Sequence, residues 1–534
     1  MTAPPVAVGE LAGQGLAGAG RRLVAAMLDA PAGTVSPSVY ETGRLVSDAP
    51  WLPGHAERLR YLLDTQRADG GWGAPGAYGL VPTLSAVEAL LGALDGPGGV
   101  GPREAGRLSP AARRGVATLR DRLLVAAEPV PDMPGVDLIV PALLDRIDAR
   151  LGAGAGRQPA LPMPHGMTRR RVEAVGRLLA AGAAVPQKLW HAFEVLDERA
   201  RRHLRATPVA GAVGASPAAT AAWLGDPARP DADGAALGYL RGVVASGGGP
   251  VPCTTPIAVF ERAWVLGSLA RVGAAVDVPA ELTVGLAAAL GPTGAATSPG
   301  LPADADTTAA VLYALARLGR PVAPESLLAY DTGAHFCTWQ GEDGASVTTN
   351  AHVLEALGWH ARHRPGRPHA DVVRRVAGWL VDGQRADGCW TDRWHASPYY
   401  ATASVATSLA GYGPDGTGAR LDRAAGWVRD TQRADGSWGL WAGTPEETAY
   451  ALQVLLGTGR AARAGDATVV RRALAYLDEH RDATGGSPLW HDKDLYHPVL
   501  IVRAAVLAAR HLAVLTGHAG RAASDEDAPA MSRS

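Results

Sequence analysis

The chain has 534 residues, 47% of them apolar and 19% charged, and its 51 basic and 52 acidic residues leave a formal net charge of -1. That length predicts two to four domains at about 150 residues each. The charge balance excludes a basic nucleic-acid binder and a charge-rich disordered chain. With no general field to attract it, an anionic ligand must be held locally. Cys253, Cys337 and Cys389 lie far apart without CxxC spacing, so neither a disulfide framework nor a zinc knuckle is expected. The N-terminal residues lack a basic segment followed by an apolar one, and Arg interrupts even the apolar run 499–515. The expectation is therefore a cytosolic protein, monomeric or homodimeric, with no membrane-spanning helix. Two biases need explaining. Nine of the 14 Trp fall between Trp339 and Trp490, and of the 51 basic side chains only Lys188 and Lys493 are lysine.

In chain order, helical patterning is found at Glu57–Thr65, Thr83–Leu94, Ala111–Leu124, Thr168–Ala181 and Ile257–Val272. A stretch broken by Gly and Pro, Asp277–Ala303, then suggests a boundary, placed between 284 and 285. Beyond it the pattern is regular: helix starts at Thr307, Thr349, Ala401, Glu447 and Val499 are 42, 52, 46 and 52 residues apart. Between them lie more polar helices, Asp371–Gly383 and Ala419–Thr431 among them, with Arg and Asp along one face. Helix pairs repeating at about this period cannot bury their apolar faces alone and must stack. The fold expected is all-α, with two α/α barrels: residues 31–284 in the first, 285–519 in the second, and a disordered tail at 520–534.

The string Gln-Arg-Ala-Asp-Gly occurs at 66–70, 384–388 and 432–436, each followed after one residue by Trp72, Trp390 or Trp438. Its reading is structural. Gly permits the tight turn, Gln satisfies backbone groups at helix ends, and Trp covers the neighbouring helix end.

Chemistry is expected at Asp304-Ala305-Asp306-Thr307-Thr308, which precedes the apolar run VLYALA. One N-cap needs one side chain, yet four polar ones stand here. Two carboxylates this close in an apolar site cannot both ionise cheaply, so one is driven towards the protonated acid, against the pull of the helix N-terminus. A carboxylic acid facing an aromatic-walled cavity is what alkene protonation requires.

Together with QRADGGWG, KLWHAFE (188–194), SPAATAAW (216–223), SVTTNAHVLEAL (346–357), TPEETAYAL (444–452) and LWHDKDLYHPVLIV (489–502), this segment resembles class II terpene cyclases, the group of copalyl diphosphate synthases and, more remotely, squalene-hopene cyclases. The resemblance spans nearly the whole chain. It implies that a helix at about 8–30, within residues 1–30, completes the second barrel, so that the first is an insertion (the βγ architecture). It also implies that Asp306, at the middle position of the DxDD motif, is the general acid and Asp304 its neighbour. Thr307 stands where the family has a further Asp, and Asn350 is expected to hydrogen-bond the acid. The DxDTT form resembles drimane-type cyclases such as drimenyl diphosphate synthases, so farnesyl diphosphate is the first expectation for the substrate. Geranylgeranyl diphosphate, giving copalyl diphosphate, is the alternative. In either case the diphosphate is retained, with Mg²⁺ as its companion ion and unidentified metal ligands. Lys493, then Lys188 and Arg503, are its expected anchors, because a compact ammonium suits phosphate oxygen. Trp339, Trp394, Tyr399, Tyr400, Trp441 and Tyr450 are candidates to face the carbocation. His191, His352 and His395 are candidates for the terminal base. Glu446 and Glu447 are read first as a capping box with Thr444.

Three other functions compete. A glycosidase needs two carboxylates across a groove, a prenyltransferase subunit needs zinc ligands around a cysteine such as Cys389, and a helical scaffold leaves Asp304–Thr308 unexplained beyond capping.

Overall fold

The computed structural model describes residues 8–95, 101–152, 159–183, 185–196, 206–225, 233–342, 344–366, 369–481 and 486–518. The expected tail at 520–534 lies outside them. Two helical cores are present, and their grouping departs from the expected boundary.

The second core is a closed ring. Among the described residues, α10 (Ala258–Arg271), α12 (Ala305–Arg317), α13 (Val347–His363), α15 (Pro398–Tyr412), α17 (Pro445–Gly457) and α19 (Val499–Leu515) each pack on the next, and α19 returns to α10. Outside it lie α11 (Ala280–Ala288), α14 (Ala370–Asp382), α16 (Gly418–Asp430), α18 (Asp466–Glu479) and α1 (Val8–Asp29), the last against α19. The core contains Leu23, Val24 and Met27 from α1 and runs without a break in the fold from Cys253 to Ala513. The boundary expected near 284 therefore falls too late: α10 closes the ring by touching both α12 and α19, and Leu282 and Leu286 of α11 are buried in the same core.

Side-chain caps fix where inner helices begin. Asp304, Ser346, Ser397 and Thr444 each accept a backbone N–H from their first turn, which satisfies donors that the helix itself leaves open. The Gln–Trp turns bind each helix pair to the next. The Trp72, Trp390 and Trp438 indoles donate to Leu62, Leu380 and Val428 oxygens at 2.6, 2.7 and 2.7 Å. Gln384 donates to Gly388 in its own turn and to Arg420 at the start of α16. Gly388 has φ +104°, and a Cβ there would lie 2.7 Å from the Arg423 oxygen, so glycine is required.

The first core comprises α2 (Val39–Asp48), α3 (His55–Asp64), α4 (Leu80–Asp95), α5 (Pro102–Thr118), α6 (Val136–Gly152), α7 (Arg170–Ala180), α8 (Pro217–Leu224) and α9 (Gly234–Gly247), with a 3₁₀ stretch at Gln187–Val195 between α7 and α8. The helix expected at Thr83–Leu94 belongs to a longer apolar stretch. Gly76–Asp95 is long and apolar enough to cross a membrane, but its most apolar part is mostly buried, and α4 packs on α2, α5 and α6 as a core helix does.

A hairpin of two short strands, β1 (Trp490–His491) and β2 (Leu495–Tyr496), joins the cores at its turn. Lys493 is fully buried there, bonded to Glu41, to Glu194 at 2.9 Å and to Ser216 at 2.8 Å, while Asp494 accepts from Ser38 Oγ at 2.7 Å and from Tyr40 N at 3.0 Å. Lys493 is therefore not a diphosphate anchor. Its charge is already paired with two carboxylates of the first core, and its side chain is fully buried and absent from the cavity wall. The pair of acids drives its pKa up despite the cost of burial.

Candidate active site

A cavity of about 630 Å³ opens between the cores, lined by the N-terminal ends of the inner helices, the β hairpin and residues 132–138 and 188–192 of the first core. Asp304 and Asp306 stand on its wall at the start of α12. Asp304 is buried; its Oδ1 accepts the Thr307 N–H at 2.6 Å and its Oδ2 accepts from Thr297 Oγ1 at 3.3 Å. Burial pushes its pKa up to about 7, against the Thr307 hydrogen bond, and Asp306 adds to the rise. Thr307 is bonded through its hydroxyl to Thr297 at 2.9 Å, so it fixes the loop beside Asp304 rather than replacing a carboxylate.

Asp306 is 16% exposed, and its Oδ1 lies 2.6 Å from His352 Nδ1. Burial disfavours the imidazolium, but the adjacent Asp306 raises the His352 pKa above its usual value. The expectation that Asn350 holds the acid is corrected. Its Nδ2 donates to the Phe336 and Ser346 oxygens and its Oδ1 accepts the Phe336 N–H, so it ties a loop to α13. His352, two residues on, points the other way round the helix and reaches the carboxylate instead.

The aromatic wall is also redistributed. Trp339, Trp394 and Tyr400 line the cavity, joined by Phe260, Trp490 and Tyr496, which the sequence reading did not single out. Trp339 and Trp394 meet edge to face at 5.3 Å; Tyr400 and Trp490 lie 4.7 Å apart, and the Tyr400 hydroxyl accepts from Trp264 Nε1 at 2.9 Å. These rings line one volume, and aromatic faces are what stabilise a cation. The other three candidates pack elsewhere. Tyr399 lies on Trp427 at 4.6 Å, Trp441 on Tyr78 at 5.6 Å beside the first core, and Tyr450 on Tyr400 at 5.1 Å along a separate cavity of about 40 Å³. The only sequence signal for Trp490 was its place in the LWHDKDLY string.

Of the expected anchors, Lys188 alone lines the cavity, with its ammonium 5.9 Å from the Trp339 ring centre. Arg503 is exposed on α19 and absent from the cavity wall. Arg171 and Arg393 do line it, Arg171 beside Asp137 at 3.5 Å and Arg393 beside Asp132 at 2.7 Å. Among the described residues no three His, Cys, Asp or Glu side chains converge on one point. The described residues thus offer no cage for Mg²⁺ and no zinc set around Cys389.

None of the three base candidates offers an open ring nitrogen to the cavity. His191 uses Nδ1 on the Gly214 oxygen at 2.6 Å and Nε2 on Asp492 at 2.7 Å. His352 serves the acid, and His395 lies behind Trp490 at 5.1 Å. His491 does line the cavity; burial holds its pKa down at about 4, and its Nε2 lies 3.1 Å from the Tyr78 hydroxyl.

Comparison with known proteins agrees with this geometry. Residues 340–497 match the squalene-hopene cyclase C-terminal domain. An ent-copalyl diphosphate synthase of Streptomyces sp. (strain KO-3988) is 46% identical over 92% of this chain and 95% of its own. The chain is a class II terpene cyclase. A labda-7,13-dienyl diphosphate synthase of Streptomyces clavuligerus is 43% identical over 94% of this chain and 95% of its own. The solved structure of ent-copalyl diphosphate synthase from Streptomyces platensis superposes with a TM-score of 0.86 at 46% identity, covering 93% of this chain and 99% of that one. This cyclase therefore has the βγ α/α barrel architecture of its family, and it is an isomerase by class.

Proposed function

We propose that the enzyme protonates geranylgeranyl diphosphate and closes it to a copalyl-type bicyclic diphosphate. The observation that carries this is the similarity, over more than nine-tenths of the chain, to enzymes whose named products are copalyl and labdadienyl diphosphates. It reverses the order expected from the DxDTT motif, which put farnesyl diphosphate and a drimane product first. A threonine at that position bonds Thr297 and supports Asp304, so it reports on the loop beside the acid and not on the length of the substrate.

In this reading Asp306 gives its proton to the terminal alkene, and His352 orients the carboxyl and balances the carboxylate left behind. Asp304, its pKa raised by burial to about 7, carries less than a full second negative charge near neutral pH. Phe260, Trp339, Trp394, Tyr400, Trp490 and Tyr496 surround the migrating charge. Lys188, with Arg171 and Arg393, replaces Lys493 as the diphosphate anchor. No step is assigned to Mg²⁺.

Incubation with geranylgeranyl and farnesyl diphosphates, followed by dephosphorylation and mass spectrometry, tests the proposal. A C20 bicyclic alcohol formed at the higher kcat/KM is expected; faster turnover of farnesyl diphosphate would sink it.

A further inference from the structure

Glu446 is the buried acid for which neither capping nor proton transfer accounts. The capping box of α17 is completed by Glu447, whose Oε2 accepts from Thr444 Oγ1 at 2.8 Å and whose N–H returns to that hydroxyl at 3.1 Å. Glu446, one residue earlier, turns inward and is 2% exposed. Its Oε1 accepts the Trp490 indole N–H at 2.8 Å and a bond from His395 Nε2 at 3.2 Å. His395 Nδ1 in turn lies 3.0 Å from the Ser397 backbone N, which turns the Nε2 edge of the ring towards Glu446. No Lys or Arg among the described residues lies within salt-bridge distance, and His497 Nδ1 is 3.8 Å from Oε2, which has no hydrogen-bond partner.

A carboxylate without a strong cationic partner is costly to bury. Although burial works to raise the Glu446 pKa, the neighbouring His395 and His497 hold it at about 2, and the N-terminus of α17 favours the same charge. The charge sits directly behind the cavity wall. Trp490 lines the cavity, tilted against Tyr400 at 4.7 Å and edge to face with His395 at 5.1 Å.

We propose that Glu446 is the buried counter-charge of cyclisation, a positioning residue that acts through Trp490 to draw the carbocation onto the aromatic wall. An indole that donates to a carboxylate presents a more electron-rich face, and the anion itself attracts a positive charge across a low-dielectric wall. The interaction exists only while the substrate is cationic, so it lowers the barrier without tightening ground-state binding. This rests on the cyclase chemistry above but not on the length of the prenyl chain.

The test compares an ammonium analogue of the prenyl diphosphate, with nitrogen at the cationic carbon, against its uncharged carbon isostere. Glu446→Gln keeps the size and the acceptor for Trp490 and removes only the charge. It is expected to weaken the ammonium analogue about tenfold, leave the isostere within about twofold, and lower kcat about tenfold with KM unchanged. An unchanged preference for the ammonium analogue would overturn the proposal. Should that variant not fold, Trp490→Phe, which retains a ring but loses the N–H, reads the same ratio, and a wild-type ratio there overturns it equally. Glu446→Asp, which retains the charge, is expected to restore most of the preference, and its failure to do so would point to a structural role. Wild-type turnover is the control: its absence sinks the cyclase reading, whereas turnover with an unchanged ratio sinks only the role of Glu446.

Discussion

At the seam between the cores, Lys493 meets Glu41 and Glu194 with all three side chains fully buried. On the cavity wall, Asp304, Asp306 and His352 assemble from the same ingredients, two carboxylates and one nitrogen base, but Asp306 stays 16% exposed. In the sealed cluster every charge is compensated by a neighbour and by hydroxyls from Ser216 and Tyr40. Such a group has nothing to gain from releasing a proton, and it fastens the hairpin of one core into the other. In the open cluster one acid is used up as a helix cap while the second keeps an oxygen towards the cavity. Access to the cavity, more than composition, separates a staple from a proton donor.

Replacing Asp306 by Asn should break the open cluster alone: turnover falls at least about 10³-fold while the melting temperature stays within a few degrees of wild type. Comparable losses of activity and stability together would mean that the two clusters are not functionally distinct. Lys493→Met should do the opposite, costing about 3–5 kcal/mol of stability by leaving two buried carboxylates uncompensated, read from denaturant unfolding. A variant as stable as wild type would show that the seam is not held there. Asp304 offers a pH test. Its folded pKa of about 7 stands above the ordinary 3.8, so the native state holds the proton more tightly. Its contribution is complete below that lower value and drains away as the pH climbs to about 7. The stability of Asp304→Asn relative to wild type should therefore rise from pH 5 to pH 8, by on the order of 1–3 kcal/mol. A flat difference would place the carboxyl in a far more polar setting. Lys188→Ala should raise KM about tenfold with kcat little changed, in contrast to the Lys493 variant, whose surviving folded fraction should bind normally. The smallest effect is expected far from both clusters, where Trp438→Phe loses one indole hydrogen bond in a Gln–Trp turn and about 1 kcal/mol of stability.

What could be read from the chain alone had causes confined to a few neighbouring residues. The repeated Gln–Trp turns, the caps at Asp304 and Thr444, the apolar inner helices and the acid ahead of VLYALA all depend on contacts within a turn or two, or on a period that stacking must satisfy. The helix at Thr83–Leu94 was legible from its own pattern, but its extension into an apolar stretch over Gly76–Asp95 was not, because that apolar character reflects burial against neighbouring helices. Partnerships were legible only where they were local. His352 lies 46 positions from Asp306, and Lys493 lies 299 from Glu194. Asn350 and His352 are both polar residues near the start of one helix, and only the rotation of α13 within the closed ring decides which of them faces the acid. The same holds for the two lysines. Sequence identified both as exceptional in an Arg-rich chain; ring closure and the insertion of the hairpin put one in the cavity and sealed the other in the core. A sequence fixes its caps, turns and periods through local sterics and hydrogen bonding. Which charge is buried and which meets the substrate depends on distant segments excluding water together, and that was settled by the tertiary structure.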